Sequence, residues 1–125
     1  MAPTVQNVVF DCADAYALAT WWSKVFEVPM SDEDAPGDPE VAILLPTGLT
    51  LYFQAVPEPK TVKNRVHVCL QAETRRDDDV ARMLDLGATM LADHRRADGT
   101  GFVVLTDPEG NEFCVLRSAA ERAAR

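Results

Sequence analysis

The sequence predicts an α+β domain in which one supersecondary layout occurs twice along the chain. Three observations predict it. Short runs rich in β-branched and apolar residues are interrupted by two stretches with helical spacing. Each half opens with a strand, continues with a helix and ends in further strands. Landmarks also recur at a near-constant offset: Asn7 falls on His67 and Asp14 on Thr74, both 60 residues on, and Gly48 falls on Gly110 at 62. Few residues are shared, so the common order of elements is the stronger sign of a repeat.

In the first half, Val5 to Cys12 is β-branched and apolar and reads as a strand. Asp14 stands where a helix N-cap belongs. Ala15, Leu18, Trp22 and Val25 follow at i, i+3, i+7 and i+10, with Ala19 and Phe26 widening the stripe, so one face of a helix turns inward. Trp22 lies on that stripe and belongs to the core; Trp21 is expected at the domain edge or a subunit contact. Pro29 stops the helix. Residues Ser31 to Pro39 are acidic and carry Pro36, Gly37 and Pro39, the composition of a surface loop. Glu40 to Leu45 and Leu49 to Gln54 are strands around the turn residues Pro46-Thr47-Gly48.

Val56 to Lys63 holds Pro57 and Pro59 and reads as a linker. Arg65 to Ala72 is a strand, and Thr74 is the expected N-cap of the next helix. Asp77, Asp78 and Asp79 fill its first turn, where negative charge suits the helix dipole, and are expected to be solvated along with Glu73, Arg75 and Arg76. Val80, Met83 and Leu84 form its apolar stripe, and Gly87 ends it. Ala88 to Ala92 and Gly101 to Thr106 are strands. Asp107-Pro108-Glu109-Gly110 has the residue order of a tight turn. Glu112 to Leu116 is the last strand, and Ser118 to Arg125 is a polar tail or a frayed helix.

The totals exclude several classes. A chain of 125 residues is long enough for one domain with its own core. No apolar run approaches the roughly 20 residues of a membrane span. The start, Met1-Ala2-Pro3-Thr4, lacks the charged and apolar regions of a secretory signal. The formal net charge of −8 opposes nucleic acid and anionic membrane surfaces, and slightly favours a cationic ligand. Three scattered cysteines, Cys12, Cys69 and Cys114, do not form a disulfide framework, so a reducing cytoplasm is expected.

The run Asp107-Pro108-Glu109-Gly110-Asn111-Glu112-Phe113-Cys114-Val115-Leu116 resembles the last hairpin of the vicinal oxygen chelate superfamily, the glyoxalase, bleomycin-resistance and dioxygenase fold. Leu86-Gly87-Ala88 resembles the end of that family's second helix, and Lys63-Asn64-Arg65-Val66-His67 the start of its second module. The resemblance spans nearly the whole chain. It implies one glyoxalase-like domain over residues 1–125, built of two βαβββ modules whose curved mixed sheet encloses a cavity. Module one would run over about 4–55, the linker over 56–63 and module two over 64–117, with the polar tail at 118–125. The resemblance also implies a homodimer, with some relatives exchanging modules between chains.

Alternation along strands sorts the side chains into two sets. Val8 and Phe10, Leu51 and Phe53, Val68 and Leu70, and Phe113 and Val115 form purely apolar sets that belong under the helices. Cys12 shares parity with Phe10 and is expected to be buried and inert. The opposite sets are mixed and belong on the concave side: Asn7, Val9 and Asp11; Thr50, Tyr52 and Gln54; His67, Cys69 and Gln71; Glu112, Cys114 and Leu116. The expected pocket lining is Asn7, Val9, Tyr52, Gln54, His67, Cys69, Gln71, Glu112 and Cys114, apolar and aromatic surface with a few polar groups, as small-molecule sites are.

In metal-dependent relatives, four strand positions supply His, Glu or Gln ligands. The resemblance places these at Asn7, Tyr52, His67 and Cys114, with Tyr52 placed by the match of Gly48 to Gly110. Only His67 keeps a ligand of that kind. Cys114 stands where a Glu is expected, and Asn7 and Tyr52 are poor ligands. Zinc in enzymes keeps about three protein ligands, and hard divalent ions take several oxygens. No metal or other cofactor is therefore expected; should a divalent ion bind, His67, Glu112 and Cys114 would be its ligands. His94 lies among Arg95 and Arg96 and is expected in solvent.

His67 can be read as a polar residue of the cavity wall, as a ligand-recognition group, or as the base for a Cys114 nucleophile; the last needs contact, an activated thiol and an oxyanion hole. The expected function is metal-independent binding or sequestration of a small organic molecule in the cleft between the modules, with Tyr52 stacking and His67, Asn7 and Gln71 hydrogen-bonding. The alternative is a divalent-metal-dependent lyase, isomerase or dioxygenase of the glyoxalase-like group. A third reading is a partner domain with no ligand.

Overall fold

The computed structural model describes residues 1–124. In chain order the elements are β1 (Asn7–Cys12), α1 (Ala15–Phe26), β2 (Glu40–Leu44), β3 (Thr50–Ala55), β4 (Val68–Gln71), α2 (Arg76–Asp85), β5 (Thr89–Asp93), β6 (Val103–Thr106), β7 (Glu112–Leu116) and α3 (Ala119–Ala123). The chain divides into two compact units, Met1–Lys60 and Thr61–Arg125. Among the described residues no helix is long and apolar enough to cross a membrane.

In the first unit the strands run in the order β1-β3-β2, with β1 parallel and β2 antiparallel to β3. Helix α1 starts as its cap residue predicts: the Asp14 carboxylate accepts from the Ala17 amide at 3.0 Å. It ends at Glu27, in the left-handed region at φ 55, ahead of Pro29. Its inner face packs on the apolar side of the sheet, where Trp22, Leu18, Leu51, Phe53 and Val41 are almost fully buried. Burial of each such side chain contributes about 1.5–3 kcal/mol. Phe10 bridges helix and sheet, with ring centroids 5.5 Å from Trp22 and 5.1 Å from Phe53. Trp21 departs from its expected edge position: it is 8% exposed and meets Trp22 edge-on at 5.1 Å. The acidic segment 31–39 forms turns, so this unit places two strands after its helix where the implied βαβββ module has three.

The second unit has the full βαβββ order, with strands arranged β4-β7-β6-β5 and β4 parallel to β7. Both units thus set their first strand parallel to their last. The registers also agree. Val9 pairs with Tyr52 in one unit and Cys69 with Cys114 in the other, the same pair at offsets of 60 and 62.

Helix α2 differs from expectation at three points. Its N-cap is Arg75, which makes no side-chain cap bond, and the predicted cap Thr74 instead offers its carbonyl to the Ser118 hydroxyl at 2.7 Å. Leu84 is 37% exposed. Arg76, expected in solvent, is 4% exposed. The last two share a cause. Arg76, Val80 and Met83 fall at i, i+4 and i+7 and form the inner face, which leaves Leu84 turned outward. The Arg76 guanidinium is satisfied by the carbonyls of Gly99, Thr100 and Gly101 at 3.2, 3.2 and 2.8 Å and by Asp77 at 3.0 Å. Asp77 also accepts from Arg95, so it is paired rather than merely solvated. A Cβ on Gly101, at φ +93, would collide with the His94 carbonyl, which is why the loop needs glycine there.

The predicted polar tail is ordered. Ser118 and Glu121 form a capping box at the start of α3, and the Glu121 carboxylate also accepts from the Arg76 amide at 2.7 Å. A first-turn amide of α2 is thereby capped from another helix. Arg125, the last residue of that tail, lies outside the described residues.

Candidate functional site

The final hairpin sets up the polar face of the second unit. Asp107 and Asn111 are both buried at its turn. The Asp107 carboxylate accepts from the amides of Glu109 and Asn111, both at 2.9 Å, and from the Asn111 side chain. Asn111 in turn accepts from the Asn64 side chain at 2.8 Å, and the Asn64 amide donates to Glu112 at 3.2 Å. The segment before β4 is therefore tied to the start of β7. Strand β4 begins at Val68 rather than Arg65, so His67 sits just ahead of the strand, exposed.

This arrangement brings three side chains together. The donor atoms of His67, Cys69 and Cys114 all lie within 4.8 Å of one another. Cys69 and Cys114 face each other as register partners on parallel strands, and side chains of such partners emerge on the same face. Cys69 is exposed, whereas Cys114 is 5% exposed. Burial, and then the neighbouring Cys69, push the Cys114 thiol up to about 11. At neutral pH it is protonated, which disfavours its reading as an activated nucleophile.

Of the other expected site residues in this unit, Glu112 and Gln71 are engaged. Glu112 takes the Asn64 amide, and the side chain that lies beside His67 and Cys114 is Cys69. The Gln71 amide, oriented with its carbonyl toward the donors, accepts from the Ala119 amide at 3.0 Å and from Arg122 at 3.2 Å, which fastens α3 to β4. His94 is exposed as expected, with its ring 4.8 Å from Phe102.

In the first unit, Asn7 and Tyr52 are half-buried, Gln54 is exposed and Val9 is 48% exposed, all on the face away from the core. The Tyr52 hydroxyl donates to Glu40 at 2.6 Å, which raises its pKa above the ordinary phenol value. Glu40 was not among the expected residues. Its signal lay in the pattern of β2, where it shares parity with Ala42 against the buried Val41 and Ile43. Cys12 is buried as expected, its thiol donating to the Gln54 carbonyl at 3.5 Å.

A family model described as a glyoxalase-like domain matches residues 7–116. The chain belongs to that family. It lies within the vicinal oxygen chelate superfamily, and solved structures share its fold. A possible glyoxalase from Bacillus cereus is 19% identical with a TM-score of 0.70, over 92% of this chain and 99% of that one. A glyoxalase/bleomycin resistance protein/dioxygenase family enzyme from Burkholderia phytofirmans PsJN is 18% identical with a TM-score of 0.72, over 92% and 98%. A mutant of the fosfomycin resistance protein FosX from Listeria monocytogenes, in complex with manganese(II) and dihydroxypropylphosphonic acid, is 17% identical with a TM-score of 0.72, over 98% and 96%. No curated protein matches the chain.

Manganese is a hard ion that prefers oxygen and imidazole donors. The positions that the resemblance assigns to metal ligands hold an amide and a phenol already bonded to Glu40 in the first unit, and an imidazole and a buried thiol in the second. Neither pair suits a hard divalent ion.

Proposed function

We propose that this glyoxalase-like chain binds a small organic molecule on the polar face of its sheets, without the hard divalent ion that the FosX complex contains. The observation that carries the reading is the commitment of the Tyr52 hydroxyl to Glu40. It turns a position that would offer a metal ligand into a ring flanked by a carboxylate. Val9, its register partner, adds apolar surface, and Gln54 adds an amide on the same face. A few polar groups set in apolar and aromatic surface suit a small organic ligand. Glu40 beside an aromatic ring, with a formal net charge of −8, favours a cationic aromatic one.

The test is a thermal-shift series on metal-free protein with cationic aromatic compounds, and with phosphonates as the contrasting class. A cationic aromatic held at about a hundredfold above its Kd stabilises the fold by about 2.7 kcal/mol. The shift should appear without manganese(II) or nickel(II) and should shrink in Glu40→Gln. Stabilisation confined to phosphonates in the presence of manganese(II) would instead overturn this reading in favour of metal-dependent ligand binding.

A further inference from the structure

We infer that the second unit binds zinc through Cys69, Cys114 and His67. This is a thiophilic site formed within one unit, chemically distinct from a hard oxygen and imidazole centre.

Three features carry it. The first is convergence: the three donor atoms already lie within 4.8 Å of one another. Donors on one tetrahedral zinc stand roughly 3.5–3.8 Å apart, given Zn–S and Zn–N bonds of about 2.3 and 2.0–2.1 Å. Closing the set therefore takes on the order of 1 Å of side-chain adjustment, within reach of rotamer changes at Cys69 and His67, both of which are exposed.

The second is backbone support. Cys69 and Cys114 are held opposite each other by the parallel register of β4 and β7, and β7 is paired on its other side by β6. His67 lies two residues before Cys69, on a segment whose Asn64 is bonded to Asn111 and Glu112. Two ligands on paired strands and one on a tethered loop make a preorganised set.

The third is donor chemistry. Two thiols and one imidazole are soft to borderline donors that select zinc over manganese or magnesium. The carboxylate that could harden the set, Glu112, is turned to the Asn64 amide. Three protein donors leave one tetrahedral position open, as in zinc sites that bind a further ligand.

The inference concerns the second unit alone and does not rest on the small-molecule reading of the first. The experiment is a cobalt(II) titration of the reduced full chain, followed by displacement with zinc. The expected result is one equivalent of cobalt with an intense thiolate-to-cobalt charge-transfer band and tetrahedral visible bands, both erased by zinc. Cys69→Ser should cut the charge-transfer intensity by about half. It should also weaken zinc binding by more than the roughly tenfold to hundredfold that outer partners of a metal site cost. His67→Ala should weaken binding while keeping the charge-transfer band. Cys69 and His67 are exposed, so these variants remain informative even where substitution of the buried Cys114 perturbs folding. Glu112→Gln should leave the spectrum unchanged. Cobalt bound without a thiolate band, or a site abolished by Glu112→Gln and untouched by Cys69→Ser, would overturn the assignment. So would an isolated protein in which the two thiols form a disulfide and, once reduced, take up no metal.

Discussion

Cys69 stands directly opposite Cys114 across the parallel pair β4 and β7, yet the first side chain is exposed and the second is buried. Position in the sheet accounts for the difference. Cys114 lies on β7 between β4 and β6, whereas β4 is an edge strand of its sheet.

The difference should be visible in thiol reactivity. Cys69 is expected to give a fast phase with a disulfide reagent at neutral pH. Cys12 and Cys114 should react only slowly, because both are buried and burial pushes the Cys114 thiol up to about 11. Cys69→Ser should remove the fast phase. Two thiols reacting at equal fast rates in the wild-type protein would contradict this account of the second unit.

The Tyr52–Glu40 bond predicts a second titration. Glu40 raises the Tyr52 pKa by accepting its hydroxyl proton in a hydrogen bond and by opposing the phenolate charge. Glu40→Gln should therefore move one tyrosine of the spectrophotometric titration to lower pH. A superimposable curve for the variant would mean that the bond is not formed in solution.

Helix α3 should matter to stability despite its short length. Replacing Glu121 with Ala removes the capping box and the acceptor for the Arg76 amide, at a cost of about 1–2 kcal/mol in urea unfolding. Arg76→Met should cost more, about 1.5–3 kcal/mol, because the loop carbonyls of Gly99, Thr100 and Gly101 lose their charged donor. An unfolding midpoint unchanged in both variants would show that the tail does not hold α2.

Acid should weaken the second unit through Asp93. Hydrogen bonds from Arg95 hold its carboxyl down at about 2, against an ordinary 3.8. A depressed folded pKa means that the group stabilises the fold above the unfolded value. That contribution is lost as pH falls from about 4 through about 2. Glu121 and Asp77 are shifted in the same direction, Glu121 by the Ser118 amide and Asp77 by Arg76 and Arg95 against the opposing effect of its burial. The urea midpoint should fall over this window, and Asp93→Asn should flatten the fall. A variant curve as steep as that of the parent would remove Asp93 from the explanation.

Much of this was legible in the sequence because it rests on local rules. The Asp14 cap, the Trp22 stripe, the turn at Asp107 and the alternation of Leu51 and Phe53 against Tyr52 are set by neighbours within a few residues. What escaped depends on distant partners. Arg76 reads as a surface charge until the loop at residues 99–101 supplies three carbonyls. Ser118 and Glu121 read as a frayed tail until α2 offers an amide to cap. Alternation along β4 and β7 says nothing of the partners that occupy Gln71 and Glu112, which are Ala119 and Asn64, 48 residues away in each case. Only the register with Cys114 turns two separate thiols into a cluster with His67.

The central claim is ligand binding without a hard metal, and calorimetric titration of metal-free protein with the most stabilising cationic aromatic compound tests it most directly. The account predicts saturable one-site binding whose affinity is unchanged by added manganese(II) or nickel(II) and is weakened by Glu40→Gln. Binding that appears only once one of those ions is supplied, and that ignores Glu40, would contradict it.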